Sequence, residues 1–194
     1  MSELVLLEYQ DSWPQQFLQV SEQIRSLFPL PAAVLEHIGS TSVPGLCAKP
    51  VLDIALGVEA LRDAEAAIPA FASAGFTYRP EYETAIPGRR YFVKPENTSL
   101  RVHLHAVVLG GLLWQQHLHF RDQLRREVRL REDYSALKRR LAVVHAGSKA
   151  AYTEGKAPFI RQVLSSLVTQ ATGPLRNLTP RSSRPATAGS VSLG

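Results

Sequence analysis

The chain has 194 residues and a mass of 21.4 kDa, a length suited to one domain with a core of its own. Its 45% apolar and 20% charged residues are ordinary for a soluble globular protein, and a single cysteine, Cys47, excludes an intrachain disulfide or a zinc site built on several thiolates. The formal charge of +5 invites a nucleic-acid reading, but Arg176, Arg181 and Arg184 lie in a segment without acids, and setting them aside leaves 19 of the 22 basic residues against 17 acidic ones, too even a balance for phosphate-backbone binding.

In chain order, Leu4–Tyr9 reads as a short strand. Trp13–Phe28 reads as an amphipathic helix, with Pro14 in its first turn and Phe17, Val20, Ile24 and Leu27 on one face. Val34–Ile38 is a strand, and Gly39–Pro50 a loop with room for one helical turn. Val51–Val58 is nearly all apolar, the pattern of a central strand covered on both faces. Ala60–Ala74 is a helix ended by Gly75, followed by strands at Phe76–Tyr78, Arg90–Lys94 and Leu100–Val108. Helices are expected near 112–129, 132–145 and 148–169.

Residues 1–170 thus read as a single domain, with a sheet-containing half at 1–110 and a helical half at 111–170. The Ser/Thr/Pro/Gly/Ala composition of 171–194 predicts disorder. No apolar run of roughly 18 residues predicts a membrane helix, and Met1-Ser2-Glu3 lacks the basic start of a signal peptide, so the expected compartment is the cytoplasm, with no membrane partner.

The richest stretch for chemistry runs from His37 to Asp53. Gly39 permits unusual dihedrals, and Ser40, Thr41 and Ser42 then supply hydroxyls and backbone N–H groups in succession, which can cap a helix or cradle a phosphate. Asp53 is an acid inside the most apolar strand, which requires a partner, a metal or loop N–H groups. In Arg101-Val-His103-Leu-His105-Ala, alternation puts both histidines on one face and Val102, Leu104 and Ala106 on the other. If that face meets Asp53, one carboxylate and two imidazoles form a set that binds metal; otherwise the histidines are structural.

Lys49, Arg89, Arg90 and Arg121 could each meet a phosphate or pair with Glu36, Glu83 or Asp122. Arg125, Arg126, Arg129 and Arg131 read as a solvated helix face, and Lys156 as a surface lysine within reach of the site. Cys47 has no neighbouring base in sequence and does not read as a nucleophile. His117 and His119 fall on opposite sides of a helix and form no pair.

His37-Ile-Gly-Ser-Thr-Ser-Val-Pro-Gly-Leu, Ala48-Lys49-Pro50 and Asp53-Ile54 together resemble the GrpB family. The likeness continues at Trp13-Pro14, Tyr91-Phe92, His103-Leu104-His105, Phe120-Arg121-Asp122-Gln123-Leu124, Tyr134-Ser135-Ala136-Leu137-Lys138 and Tyr152 to Ile160, covering about 3–168. It implies an α+β fold like that of DNA polymerase beta and other nucleotidyltransferases: a mixed β-sheet with flanking helices, followed by a C-terminal helical region. In that superfamily a Gly-Ser pair grips the triphosphate, and an Asp-x-Asp pair with a third strand acid holds two divalent metals for attack on the α-phosphate. Gly39, Ser40 and Asp53 match the first parts; Ala55 replaces the second acid, and His103 and His105 stand where the third is expected. Family members fused to dephospho-coenzyme A kinase point to cofactor metabolism.

The resemblance therefore implies a nucleotide or phosphorylated small molecule as partner. Gly39, Ser40, Thr41, Ser42, Lys49 and Arg121 are the expected phosphate contacts. Asp53, His103 and His105 are the expected catalytic residues and ligands of a divalent metal, Mg²⁺ or Mn²⁺, with Zn²⁺ suited to imidazole. The alternatives are a nucleotide or phosphometabolite sensor that lost its second acid, and a metal-dependent hydrolase built on the same trio.

Overall fold

The computed structural model describes residues 5–27, 33–95 and 100–171. Helix α1 (Trp13–Leu27) is followed by strand β1 (Val34–Ile38), a 3-10 turn at Ser40–Ser42 and strand β2 (Val51–Val58). Then come α2 (Leu61–Ala66), α3 (Ile68–Ser73), β3 (Thr77–Tyr78), β4 (Arg89–Lys94) and β5 (Arg101–Val108). The helical half holds α4 (Leu112–Arg126), α5 (Val128–Val144), α6 (Lys149–Gly155) and α7 (Ala157–Ala171). The strands form one five-stranded sheet in the order β1-β2-β5-β4-β3, with β2 and β5 parallel and the other pairs antiparallel. This is the α+β architecture expected.

Alternation along β2 and β5 divides the two faces of the sheet. Leu52, Ile54, Leu56 and Val58, with Val102, Leu104 and Ala106, enter the main core against Trp13, Ile24, Phe71, Phe76 and Phe92. Each is nearly inaccessible, and burying such a side chain contributes about 1.5–3 kcal/mol. On the opposite face Ala55 and Val107 pack with Ile38 beneath Trp114 of α4. Gly57 admits that indole, because a Cβ there would stand 2.9 Å from the Trp114 ring and 2.7 Å from Leu109. A third cluster joins Val43 and Leu46 of the loop before β2 to Leu124 and Tyr134 of the helical half.

Several expected elements differ. Of Leu4–Tyr9 only Leu7 pairs, with Ala48 through hydrogen bonds of 2.8 and 2.9 Å, so this segment is an isolated bridge; Leu4 lies outside the described residues, as does Phe28. The helix expected at Ala60–Ala74 is broken at Ala67, because Pro69 has no N–H for the carbonyl one turn earlier. Pro158 has the same effect between α6 and α7, dividing the helix expected at 148–169. Apart from Ala171, which ends α7, the tail expected to be disordered lies outside the described residues. No helix among the described residues is long and apolar enough to cross a membrane.

Candidate functional site

The site begins with register. Parallel pairing sets Asp53 of β2 opposite His103 of β5 and Ala55 opposite His105, all on the face away from the main core. Asp53 Oδ1 lies 3.2 Å from His103 Nδ1 and 3.4 Å from His105 Nε2. One ligand atom from each of the three falls within 4.8 Å of the others. Burial pushes the Asp53 carboxyl up, but the hydrogen bonds from both imidazoles override it and hold the group well below the usual carboxylate range. Burial lowers His105 against the pull of Asp53. His117 of α4 packs beside His105, its ring centre 5.5 Å away, and burial takes it down to about 4.

Gly39 seats the Ser turn against this acid. Its φ of 68° and ψ of −170° lie in a region reserved for glycine, and a Cβ would stand 2.4 Å from Asp53 Oδ2. Ser40 then faces a cavity of about 470 Å³ lined also by Lys49, Asp53, Arg89, Tyr91, His103 and His105. Lys138, Tyr152 and Lys156 of the helical half complete its wall. Lys49 and Lys156 sit over the Tyr152 ring, their Nζ atoms 4.3 and 4.8 Å from its centre. Lys138 is buried; its Nζ donates to Ser40 Oγ at 3.1 Å and to the Cys47 carbonyl. Four cations therefore surround one carboxylate, an arrangement that attracts anions.

The structure brings Gly39, Ser40, Lys49, Asp53, His103 and His105 together. It does not bring Thr41, Ser42 or Arg121 to this cavity. Thr41 turns inward, donating to the Val51 carbonyl at 3.0 Å and accepting from His37 Nε2 at 3.0 Å. Ser42 donates to the Gly39 carbonyl at 2.7 Å. Arg121 is held by Glu36 at 2.6 Å, Asp122 at 2.7 Å and the His37 carbonyl at 3.0 Å. Ser42 and Arg121 line a separate cleft of about 520 Å³. Arg125 also departs from the solvated face expected for it, donating twice to the Ser42 carbonyl at 2.8 and 3.0 Å.

Sequence reasoning missed Lys138, Tyr91 and Tyr152. Lys138 had a signal: it lies one turn from Tyr134 and Leu141 on the buried side of α5, where a lysine needs a polar destination.

A mixed sheet with a Gly-Ser turn beside a strand acid, backed by helices, has the nucleotidyltransferase-like fold. The same fold appears in the solved complex of GLD-2, a poly(A) polymerase, with RNP-8, at a TM-score of 0.50 and 13% identity over 93% of this chain and 63% of that one. The chain belongs to the GrpB family, matching the family described as GrpB protein over residues 3–166. The crystal structure of the conserved protein GrpB from Enterococcus faecalis superposes at a TM-score of 0.76, with 30% identity over 86% of this chain and 99% of that one. A UPF0157 protein of Deinococcus radiodurans is 36% identical over 152 residues, 78% of this chain and 76% of the relative. The UPF0157 protein YqkA of Bacillus subtilis is 33% identical over 156 residues, and the chain spans 45% of its length. A dephospho-CoA kinase of Mycolicibacterium paratuberculosis is 26% identical over 171 residues, 42% of its length.

Proposed function

We propose that the chain binds a nucleotide or another phosphorylated small molecule in the cavity above Asp53 and transfers a nucleotidyl group with one divalent metal. The observation that carries this reading is convergence: a carboxylate–imidazole trio, the Ser40 turn and the cations Lys49, Arg89, Lys138 and Lys156 all face one cavity. Two of the trio's three separations suit one metal, since adjacent ligand atoms on an octahedral metal at about 2.1 Å stand roughly 3.0 Å apart. The Asp53–His103 and Asp53–His105 separations of 3.2 and 3.4 Å are close to that. Two imidazoles beside one carboxylate favour Mn²⁺ or Zn²⁺ over Mg²⁺.

Ala55 supports one metal rather than two. It is fully buried with Ile38, Val107 and Trp114, so the position of a second strand acid is sealed by hydrocarbon. The metal, when bound, would act as a Lewis acid on a phosphoryl oxygen. Lys49 and Lys156 hold the β- and γ-phosphates, and Lys138 fixes the Ser40 hydroxyl. In the transfer the acceptor oxygen replaces the pyrophosphate oxygen on the α-phosphorus.

A thermal-shift panel of ATP, GTP, CTP and UTP, each with Mn²⁺, Mg²⁺ or chelator, tests the reading. A ligand at a hundred times its Kd adds about 2.7 kcal/mol, or about 5–10 °C for a chain of this size. The expected result is a metal-dependent shift with one nucleotide that disappears in Asp53→Asn. No shift with any nucleotide well above millimolar concentration overturns it.

A further inference from the structure

Arg89 and Arg90 are neighbours on β4 with opposite surroundings. Arg90 is neutralised, its Nε 2.6 Å from Glu65 and its Nη1 3.3 Å from Glu83. Arg89 forms no ion pair among the described residues. It lies over the Tyr91 ring, 4.7 Å from its centre, and lines the Asp53 cavity. Its Nε–H is buried with no hydrogen-bond acceptor among the described residues. A buried donor of this kind is costly until an acceptor arrives.

The same guanidinium constrains His105. Arg89 Nη1 stands 3.3 Å from His105 Nδ1. A guanidinium has donors only, so Nδ1 accepts, and the neutral imidazole carries its hydrogen on Nε2, where it points to Asp53 Oδ1 at 3.4 Å. A neutral imidazole that binds metal through Nε2 has the reverse arrangement: its N–H is at Nδ1 and donates to a carbonyl or carboxylate. Arg89 therefore holds His105 in the tautomer that cannot ligate through Nε2, the nitrogen that faces Asp53. One event satisfies both residues, the arrival of an oxyanion that accepts from Arg89.

We propose that Arg89 couples anion binding to metal binding: a phosphate-class oxyanion in the cavity draws the guanidinium off His105, which frees Nδ1 to carry the hydrogen and Nε2 to take the metal. The inference rests on the metal-and-phosphate reading above and gives it an order, with the metal held weakly until the anion is present. Arg89 is a positioning residue in this scheme. The coupling is reciprocal, so bound metal tightens the anion by the same factor.

The test uses Co²⁺, whose visible absorption reports imidazole ligation, titrated with and without inorganic sulfate, a poor chelator. In the wild type, sulfate should tighten Co²⁺ by at least about fivefold, the lower end of common allosteric couplings. Arg89→Gln should bind Co²⁺ at least about fivefold tighter than wild type without sulfate and lose most of the enhancement, because the amide oxygen accepts from Nδ1–H. Arg89→Met, equally neutral but without an acceptor, should fall between them. Equal tightening in Gln and Met variants would show that charge alone acts and overturn the proposal. So would unchanged Co²⁺ affinity in both variants while Asp53→Asn abolishes binding, an outcome that leaves the metal site standing. Co²⁺ binding to none of these proteins removes the metal reading, and the coupling with it.

Discussion

Lys49, Lys138 and Lys156 show how burial sets the charge of a cavity. Burial, together with the neighbouring Lys156 and Lys149 charges, lowers Lys49 to about 8, and burial lowers Lys138 to about 7. Both groups gain their charge below these values and lose it above them. A bound anion stabilises the charged forms, so anion affinity should fall as pH rises from about 6 to about 9. Calorimetric titration of inorganic sulfate, which stays a dianion across that range, checks the sign, and Lys138→Met should remove the lower step. An affinity that is flat or rises with pH would mean that these lysines do not face the anion. Only part of this was legible in the sequence. Ser40 and Lys49 could be read from the loop, whereas Thr41 and Ser42 carry the same hydroxyl but spend it on Val51 and Gly39 carbonyls. The dihedrals of the turn make that choice, and a tripeptide does not encode them by itself.

At the scale of elements, the β2–β5 pair is the structural basis of the site. Period-two alternation predicts that His103 and His105 share a face, and the parallel register delivers Asp53 to that face. The same alternation places Ala55 one step along, where Trp114 covers it. Ala55→Asp restores the carboxylate spacing of a two-metal site on paper. In this packing it buries an unpaired charge, and the expected outcome is a loss of about 3–5 kcal/mol without a second bound metal. Chemical denaturation and metal analysis of the purified variant measure both. A stable variant binding two metals would show that Trp114 yields. The helix breaks at Ala67 and before Pro158 were also written in the sequence, as Pro69 and Pro158, although periodicity alone ran through them.

At the scale of the molecule, the helical half completes the site rather than standing beside it. Val43 and Leu46, which follow the turn, are fully buried against Leu124 and Tyr134, and Tyr134 stacks on Phe159 of α7 with ring centres 4.8 Å apart. Leu124→Ala should cost about 2–5 kcal/mol and weaken nucleotide binding along with stability, because the emptied core loosens the Ser40 turn. Equilibrium unfolding and the thermal-shift panel together test this; a destabilised variant that binds nucleotide unchanged would separate the two halves functionally. The sequence by itself determined where the five sheet strands fall along the chain, the buried strand and the shared face of the two histidines. These depend on local periodicity and on residue types that sterics restrict. Tertiary structure alone decided that Lys138 reaches Ser40, that Arg121 is consumed by Glu36 and Asp122, and that Arg89 stands unpaired at His105. Those outcomes depend on which distant segments meet, and the meeting is fixed by how three apolar clusters close around one sheet, not by the spacing of residues along the chain.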